Sequence, residues 1–205
     1  PYDISKFEST GFKDIMAYPQ PRLVKGQGHF MFCTRYDGVR RLFYRTSPDG
    51  LHWSDYHQIA SIMSEKETKS GHYQITGQYE NKLVTVFNRH KNGDCDTRTN
   101  MYYLQTTDFG KTWTLADGTP IQLPIVNKDS PCRVIDVESK NQNLYIKDIN
   151  FDENGNAIVL YLTSHGHLPG PEHGPRKWFI AHWTGKKWAQ YPITNSTHNY
   201  DSGSL

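Results

Sequence analysis

The sequence predicts an all-β protein, and specifically a β-propeller built from four-stranded antiparallel blades. Turn residues recur at short intervals, and the runs between them have the length of strands. No stretch shows the periodicity of an amphipathic helix. Groups of about three strand-like runs end in a Gly-containing turn followed by Trp, and this unit recurs at ~50–75 residues, as propeller blades do. A β-sandwich also contains short antiparallel strands, but it does not require the same turn-then-Trp unit in every repeat.

Each repeat predicts one blade, over residues 18–60, 70–125 and 143–195. The second is the clearest: "HYQITGQY", "KLVTVFNRH" and "NMYYLQTT" precede the turn "DFGKTW". Each blade is expected to be a separate sheet whose outer strand begins at a Trp. These residues are Trp53, Trp113 and Trp188.

The last eight residues, "HNYDSGSL" at 198–205, are expected to begin the inner strand of a fourth blade. Closure of a propeller takes about 4–8 blades, and an incomplete arc exposes strand edges. We therefore expect residues 1–205 to form a single partial propeller domain. The remaining blades are expected in cis or in trans.

Composition narrows the classes of partner. The chain has 23 Lys and Arg against 21 Asp and Glu, so it has no basic arm for nucleic acid. Aromatic residues reach 13%, including 13 Tyr, which suits strands and sugar-facing surfaces. No apolar run approaches the ~18 residues of a membrane span. The chain opens at "PYDISKF" without an initiator Met, so we interpret it as a mature or excised piece, with its signal peptide outside this chain. The expected location is secreted, periplasmic or on the surface of a bacterial cell.

The stretch "TTDFGKTW", residues 106–113, contains a compact turn followed by an anchoring aromatic residue. The carboxylate of Asp108 can accept bonds from backbone N–H groups of its own turn. Gly110 permits a left-handed conformation, and Trp113 can pack between neighbouring sheets. The stretch resembles the Asp-box (BNR) repeat, Ser/Thr-x-Asp-x-Gly-x-Thr-Trp, at every defined position. "SPDGLHW" resembles a shortened form, and "WTGKKW" keeps the Gly and the Trp. The box is expected on an outer hairpin, where it is structural.

Chemistry is expected instead in the axial groove, which inner strands and the loops between blades line. In the second blade, this region contains five polar candidates: His72, Tyr73, Asn88, Arg89 and Arg98. Tyr73 and Arg89 lie on adjacent strands of one hairpin, so we expect them to project into the same groove. The ordinary alternatives are packing for the Tyr and a solvated charge for the Arg.

Longer blocks carry a more specific resemblance. "FNRHKNGDCDTRTNMYYLQTTDFGKTWTLADGTPIQLP" and "LYIKDINFDENGNAIVLYLTS" resemble the BNR-repeat propeller family that includes ulvan lyases, and the likeness runs from about residue 18 to the end of the chain. The resemblance implies a seven-bladed propeller that cleaves the bond between sulfated rhamnose and a uronic acid by β-elimination. In that family an Arg follows a Tyr after sixteen residues, so Tyr73 and Arg89 are implied as catalytic. The family's upstream His has no evident counterpart here.

These residue types suit β-elimination. Arg89 is expected to grip and neutralise the uronate carboxylate, while Tyr73 takes the C5 proton or protonates the leaving oxygen, with a His supplying the other transfer. His72, Asn88 and Arg98 are the expected substrate contacts, and catalysis requires no metal. The leading function is a lyase acting on a uronate-containing, sulfated, anionic polysaccharide. The alternatives are a glycoside hydrolase on the same type of propeller and a non-catalytic carbohydrate-binding propeller.

A second group has the composition of a structural zinc site. Its four residues are His90, Cys95, Cys132 and His198, and the family resemblance implies similar structural zinc. Three further histidines are rival ligands: His165, His167 and His173. The alternatives are free buried thiols or a Cys95–Cys132 disulfide. Cys33 is expected in the core.

Overall fold

The computed structural model describes residues 16–205, so the first fifteen residues of the expected 1–205 domain lie outside the description. Strands in the described part form three antiparallel sheets that follow one another along the chain. The first sheet has the strand order β1-β2-β3-β4. Its strands are β1 (Met16–Val24), β2 (Gly28–Tyr36), β3 (Arg40–Ser47) and β4 (His57–Ala60).

The second sheet is more elaborate than a simple four-stranded blade. Its strands are β5 (Gly71–Tyr79), β6 (Lys82–His90), β7 (Arg98–Thr106), β8 (Trp113–Thr114), β9 (Pro120–Ile121) and β10 (Arg133–Ile135). The first five follow in chain order, and β10 also pairs with β7. The outer position is therefore divided: β8 pairs with β7 at Gln105, and β10 pairs with it at Met101 and Tyr102.

The third sheet again has four strands in chain order. They are β11 (Asn143–Phe151), β12 (Ala157–Ser164), β13 (Arg176–Trp183) and β14 (Trp188–Ser196). Residues 16–205 contain three short 3₁₀ turns, at Lys91–Gly93, Cys95–Thr97 and Glu138–Lys140, and no α-helix. The prediction of four-stranded antiparallel units without helices is confirmed for this part of the chain.

The hydrophobic core is layered between successive sheets. One cluster joins the first and second sheets, with Phe30 and Leu42 packed against Phe87 and Leu104. Another joins the second and third sheets through residues such as Val86 and Val159. Alternate side chains of β6 enter different layers, because successive strand residues point to opposite faces. The second sheet therefore has an apolar layer on each face, as a blade between two neighbours requires.

The turn-then-Trp units lie where they were expected, with one difference. Trp113 begins β8 and packs against Phe30, Phe32 and Tyr44 of the first sheet. Trp188 begins β14 and contacts Tyr103 of the second sheet, with ring centroids 5.1 Å apart.

Trp53 does not begin an outer strand, because β4 starts at His57. The shortened Asp box, "SPDGLHW", forms an internal hydrogen bond before the strand begins. In this bond the Trp53 Nε1–H donates to the carbonyl of Gly50 at 2.9 Å. The Ser54 N–H then donates to the Thr46 carbonyl at 2.8 Å, ahead of β4.

Residues 198–205 form no strand in the structure. They pack along β11, where Lys147 Nζ donates to the carbonyls of Asn199 and Asp201 at 2.7 and 2.8 Å. The Leu205 N–H donates to Asp148 at 2.8 Å. Their assignment to a fourth blade stays a prediction.

Candidate functional site

Tyr73 lies on β5 near the end of the second sheet at which this inner strand begins. Its backbone N–H donates to Oδ1 of Asn88 at 3.2 Å. Its ring meets the ring of Tyr18 edge-on, with centroids 5.9 Å apart. The Tyr73 side chain is partly exposed, and it lies where the first and second sheets meet. A ligand at this junction can reach the side chain.

The strand register separates Tyr73 from Arg89. Tyr73 pairs directly with Asn88, and His72 pairs with Arg89. A two-residue turn joins β5 and β6, and such a turn pairs only residues that are an odd number of positions apart. Residues sixteen apart therefore leave opposite faces of the sheet. The structure does not bring Tyr73 and Arg89 into one groove as expected, because the turn sets a different register.

Arg89 lies at the centre of a buried ionic network. Its side chain is 1% exposed, and it pairs with Glu67 at 2.6 Å and with Glu138 at 3.1 Å. Burial opposes its charge, but hydrogen bonds to the two carboxylates outweigh burial and raise the pKa of Arg89. Asn100 also holds Glu138, whose backbone N–H donates to Asn100 Oδ1 at 3.0 Å. Arg89 thus joins the segment before β5, which contains Glu67, to the segment after β10, which contains Glu138. Its guanidinium is already paired with these two carboxylates.

Two of the expected substrate contacts are internal. His72 is fully buried, with Nδ1 3.1 Å from the Asn88 carbonyl and Nε2 2.9 Å from Ser70 Oγ. Burial lowers the pKa of His72 to about 4, so the ring is neutral near pH 7. Asn88 is also fully buried, and its Nδ2 donates to the Leu144 carbonyl at 3.1 Å. Both side chains are satisfied by the protein, which gives them structural roles.

Arg98, the third expected contact, remains partly accessible. Its guanidinium lies 5.0 Å from the centre of the Tyr145 ring, and its Nε–H donates to the Cys95 carbonyl at 2.9 Å. Arg98 therefore places a cation between the second and third sheets, where an anionic ligand can meet it.

The four residues of the expected zinc site do not converge. In residues 16–205, the one group of three potential ligand atoms lying together is Asp94, Cys95 and Asp96. Cys132 lies in the apolar layer between the first two sheets, where its Sγ–H donates to Ser130 Oγ at 3.3 Å, and burial raises the pKa of this thiol to about 11. A thiol held in its neutral form is a poor zinc ligand. The three cysteines are free, so the described chain contains no Cys95–Cys132 disulfide.

The remaining two expected ligands differ in their surroundings. His90 is fully buried, neither ring nitrogen has a hydrogen-bond partner, and burial is the main cause that lowers its pKa to about 2. His198 instead uses Nδ1 to accept a bond from the Tyr200 N–H at 3.0 Å. The residues as placed do not fit a tetrahedral zinc ion, and zinc stays a prediction from the sequence.

Beside Tyr73 lies a group of three side chains that was not predicted from the sequence. We call Tyr18, Tyr36 and Arg40 the tyrosine–arginine cluster. The Arg40 guanidinium lies 5.7 Å from the centre of the Tyr18 ring and 5.6 Å from that of Tyr36. Tyr18 is 45% exposed and Tyr36 is 42% exposed. The available signal was the segment "RYDGVRR", which places Tyr36 and Arg40 at the two ends of a hairpin.

Comparisons with known proteins place this geometry in a known fold. Residues 4–196 match the BNR repeat-containing family. A polysaccharide lyase of the PL25 type, an ulvan lyase bound to -[GlcA(1-4)Rha3S]-, has 15% sequence identity and a TM-score of 0.75, with 93% of this chain covered and 46% of the lyase. The polysaccharide lyase Uly1 has 15% identity and a TM-score of 0.66 over 87% of this chain and 40% of the lyase. The chain therefore spans less than half the length of these two lyases.

A third similar structure is an α-L-arabinanase of Penicillium chrysogenum complexed with arabinobiose. It has 11% identity and a TM-score of 0.52, with 87% of this chain and 52% of the arabinanase covered. No curated protein sequence matches the chain. At these identities the structural likeness establishes the fold, and it confirms the predicted β-propeller class. No helix within residues 16–205 is both long enough and apolar enough to cross a membrane.

Proposed function

Because this chain belongs to the BNR repeat-containing family, we propose that it is part of a polysaccharide lyase that cleaves a uronate-containing polysaccharide by β-elimination. The observation that carries the proposal is the accessible Tyr73 beside the tyrosine–arginine cluster. The phenol of Tyr73 can exchange a proton, and its ring contacts the Tyr18 ring, which in turn lies against the Arg40 guanidinium. Aromatic rings of this kind suit a sugar. Among the described residues, the contacts of Tyr73 and of the Arg40 guanidinium contain no carboxylate, whereas glycoside hydrolases typically use a carboxylate pair.

The elimination has a defined balance of protons and electrons. A base removes the C5 proton of the uronate, and the electron pair of that C–H bond forms a C4=C5 double bond. The C4–O bond breaks, and the leaving oxygen takes a proton. Tyr73 is proposed to transfer one of these protons. A cation at the uronate carboxylate stabilises the negative charge that develops when C5 loses its proton.

The substrate is proposed to be a sulfated, ulvan-like polymer cleaved between rhamnose and a uronic acid. The basis is the fold shared with lyases that include an ulvan lyase bound to a glucuronate–sulfated rhamnose oligosaccharide. Such a polymer is too large to enter a cell intact, so we propose that the protein acts outside the cytoplasm. Further blades, in cis or in trans, are proposed to complete its propeller.

Replacing Tyr73 by Phe tests this function. The Tyr73→Phe variant keeps the ring and its contact with Tyr18 but loses the oxygen that transfers the proton. We expect turnover to fall by ~10²–10⁴, the usual contribution of general acid–base catalysis, with substrate affinity nearly unchanged. The measurement is the rate at which the ultraviolet absorbance of the unsaturated uronate rises on ulvan. Tyr191→Phe is the matched control, because Tyr191 is exposed on β14. Wild-type turnover by Tyr73→Phe would refute the assignment.

A further inference from the structure

The proposed reaction requires a cation at the uronate carboxylate, and Arg89 is not available for this task. Its guanidinium is buried and bound by Glu67 and Glu138. Binding a substrate carboxylate there would require breaking a buried ion pair and leaving a carboxylate without its partner, which is strongly unfavourable. The register also directs Arg89 away from the face that carries Tyr73. A different cation is needed beside Tyr73.

Arg40 has the position and the freedom that Arg89 lacks. It stands at the start of β3, directly opposite Tyr36 at the end of β2. Its side chain is partly exposed, and it forms no ion pair with a carboxylate in the part of the chain that the structure describes. Two aromatic rings flank its guanidinium, and the Tyr36 side chain also accepts a hydrogen bond from it. A guanidinium has five N–H donors, so such contacts leave donors for a ligand. An Arg held in this way can grip a carboxylate with two parallel hydrogen bonds.

Tyr18 connects Arg40 to Tyr73. Its ring contacts Tyr73 edge-on at 5.9 Å and lies 5.7 Å from the Arg40 guanidinium. A sugar ring placed over Tyr18 would therefore have Arg40 on one side and Tyr73 on the other. This is the arrangement that a uronate needs, because its carboxylate is attached to C5, the carbon that loses the proton.

The backbone at Tyr18 is unusual in a way that supports a functional role. Tyr18 has a φ of 48°, in the left-handed region that a bulky residue rarely adopts. The register between β1 and β2 breaks between Ala17 and Gln20. A break of this kind redirects a side chain, and such breaks are common next to active sites. Here it places the Tyr18 ring between Arg40 and Tyr73.

Arg98 is a second partly exposed cation near the same hairpins. The charges of Arg40 and Arg98 both reach His90 and add to the effect of burial in lowering its pKa. Arg40 and Arg98, from different hairpins, therefore both lie near this buried histidine. A polyanion that passes both side chains meets Arg40 between the first two sheets and Arg98 between the second and third.

We propose that Arg40, positioned by Tyr18 and Tyr36, binds the carboxylate of the uronate whose C5 proton Tyr73 transfers. The catalytic role of this carboxylate site rests on the proposed function. Binding of the carboxylate by Arg40 can be measured without turnover. Substrate recognition is thus assigned to a strand of the first sheet and proton transfer to a strand of the second.

The test compares Arg40→Gln with Arg41→Gln in the purified full-length protein. Arg41 is the matched control, because it is the neighbouring Arg, points to the other face of β3 and pairs with exposed Asp37 at 3.6 Å. Both variants lose one positive charge. Binding is measured by calorimetry on ulvan and on carboxyl-reduced ulvan, in which the uronate carboxylates have become alcohols and the sulfates remain.

We expect wild type and Arg41→Gln to bind ulvan roughly ten- to hundredfold more tightly than the reduced polymer, the usual worth of charge-assisted hydrogen bonds. Arg40→Gln should bind the two polymers alike. If Arg40→Gln still discriminates as Arg41→Gln does, the inference is wrong, even when the protein proves to be a lyase. If discrimination depends on Arg40 but no unsaturated product forms, the carboxylate site stands and the lyase function fails.

Discussion

At the scale of single residues, burial controls the protonation of the histidines next to the candidate site. His72 is enclosed between the first two sheets, and desolvation lowers its pKa to about 4 from an ordinary value of 6.5. Between these two pH values the unfolded chain binds a proton that the folded chain does not. Folding stability therefore rises with pH in this window and is lost as the pH falls from about 6.5 to about 4.

We predict that the His72→Gln variant flattens this pH dependence. The wild-type contribution is on the order of 3 kcal/mol across the window, since one pKa unit corresponds to about 1.4 kcal/mol. Urea unfolding at pH 7 and at pH 4.5 measures it as the change in unfolding free energy. The control is His165→Gln, because His165 is exposed. An unchanged slope in His72→Gln would show that this histidine does not control acid stability.

Only part of the candidate site was predictable from the sequence, and the directions of its side chains were not. Tyr73 was predicted and lies at an accessible position. Arg89 was predicted from the same spacing, yet it is buried, because the turn between β5 and β6 sets the pairing and two distant glutamates meet its guanidinium. The local sequence of β6 contains no sign of Glu67 or Glu138. Likewise, nothing in "MAYPQPR" shows that Tyr18 adopts a positive φ.

At the scale of elements, the Asp box holds one sheet against the next. The Asp108 carboxylate accepts from the Thr112 N–H at 2.9 Å and from the Thr112 hydroxyl at 2.6 Å. Gly110 has a φ of 85°, and its N–H donates to Thr106 Oγ1 at 2.9 Å. A Cβ on Gly110 would lie 2.9 Å from a ring carbon of Tyr44. The turn therefore needs glycine for its conformation and for the close approach of the first sheet.

We predict that Gly110→Ala is more destabilising than Gly118→Ala. The two glycines have nearly the same positive φ, 85° and 86°, but a Cβ on Gly118 would meet nothing within 4 Å. Both variants should lose about 1–2 kcal/mol from the strained backbone. Gly110→Ala should lose a further ~1–3 kcal/mol from overpacking against the first sheet. Thermal or urea unfolding measures the difference. Equal losses would mean that the box stabilises only its own turn.

The sequence predicted the existence of the strands better than their partners. The inner three strands of each sheet follow from the alternation of turns and apolar runs. The strand β10 (Arg133–Ile135) was not predicted, because it pairs with β7 across a long connection that has no repeat to reveal it. Trp53 was misplaced for a local reason: the shortened box bonds to itself through the Gly50 carbonyl before β4 begins.

At the scale of the whole molecule, the propeller class was predictable because the unit of strand-like runs, turn and Trp occurs three times in the sequence. Zinc was predicted from composition and resemblance, and the described side chains do not assemble the site, since Cys132 is enclosed in an apolar layer. The proposed active surface is shared between two sheets. In the first sheet, β1, β2 and β3 supply Tyr18, Tyr36 and Arg40 of the tyrosine–arginine cluster, and in the second sheet β5 supplies Tyr73. Such a site exists only when neighbouring blades are packed together.

The central claim is that this surface performs β-elimination on a uronate polymer, and product analysis tests it most directly. The purified full-length protein is incubated with ulvan while new reducing ends and the ultraviolet absorbance of C4=C5 unsaturated uronate are measured together. For β-elimination we predict that absorbance rises in proportion to the reducing ends, with one double bond for each bond cleaved. Reducing ends without absorbance would identify a hydrolase, binding with neither signal would identify a carbohydrate-binding protein, and either result would contradict the account.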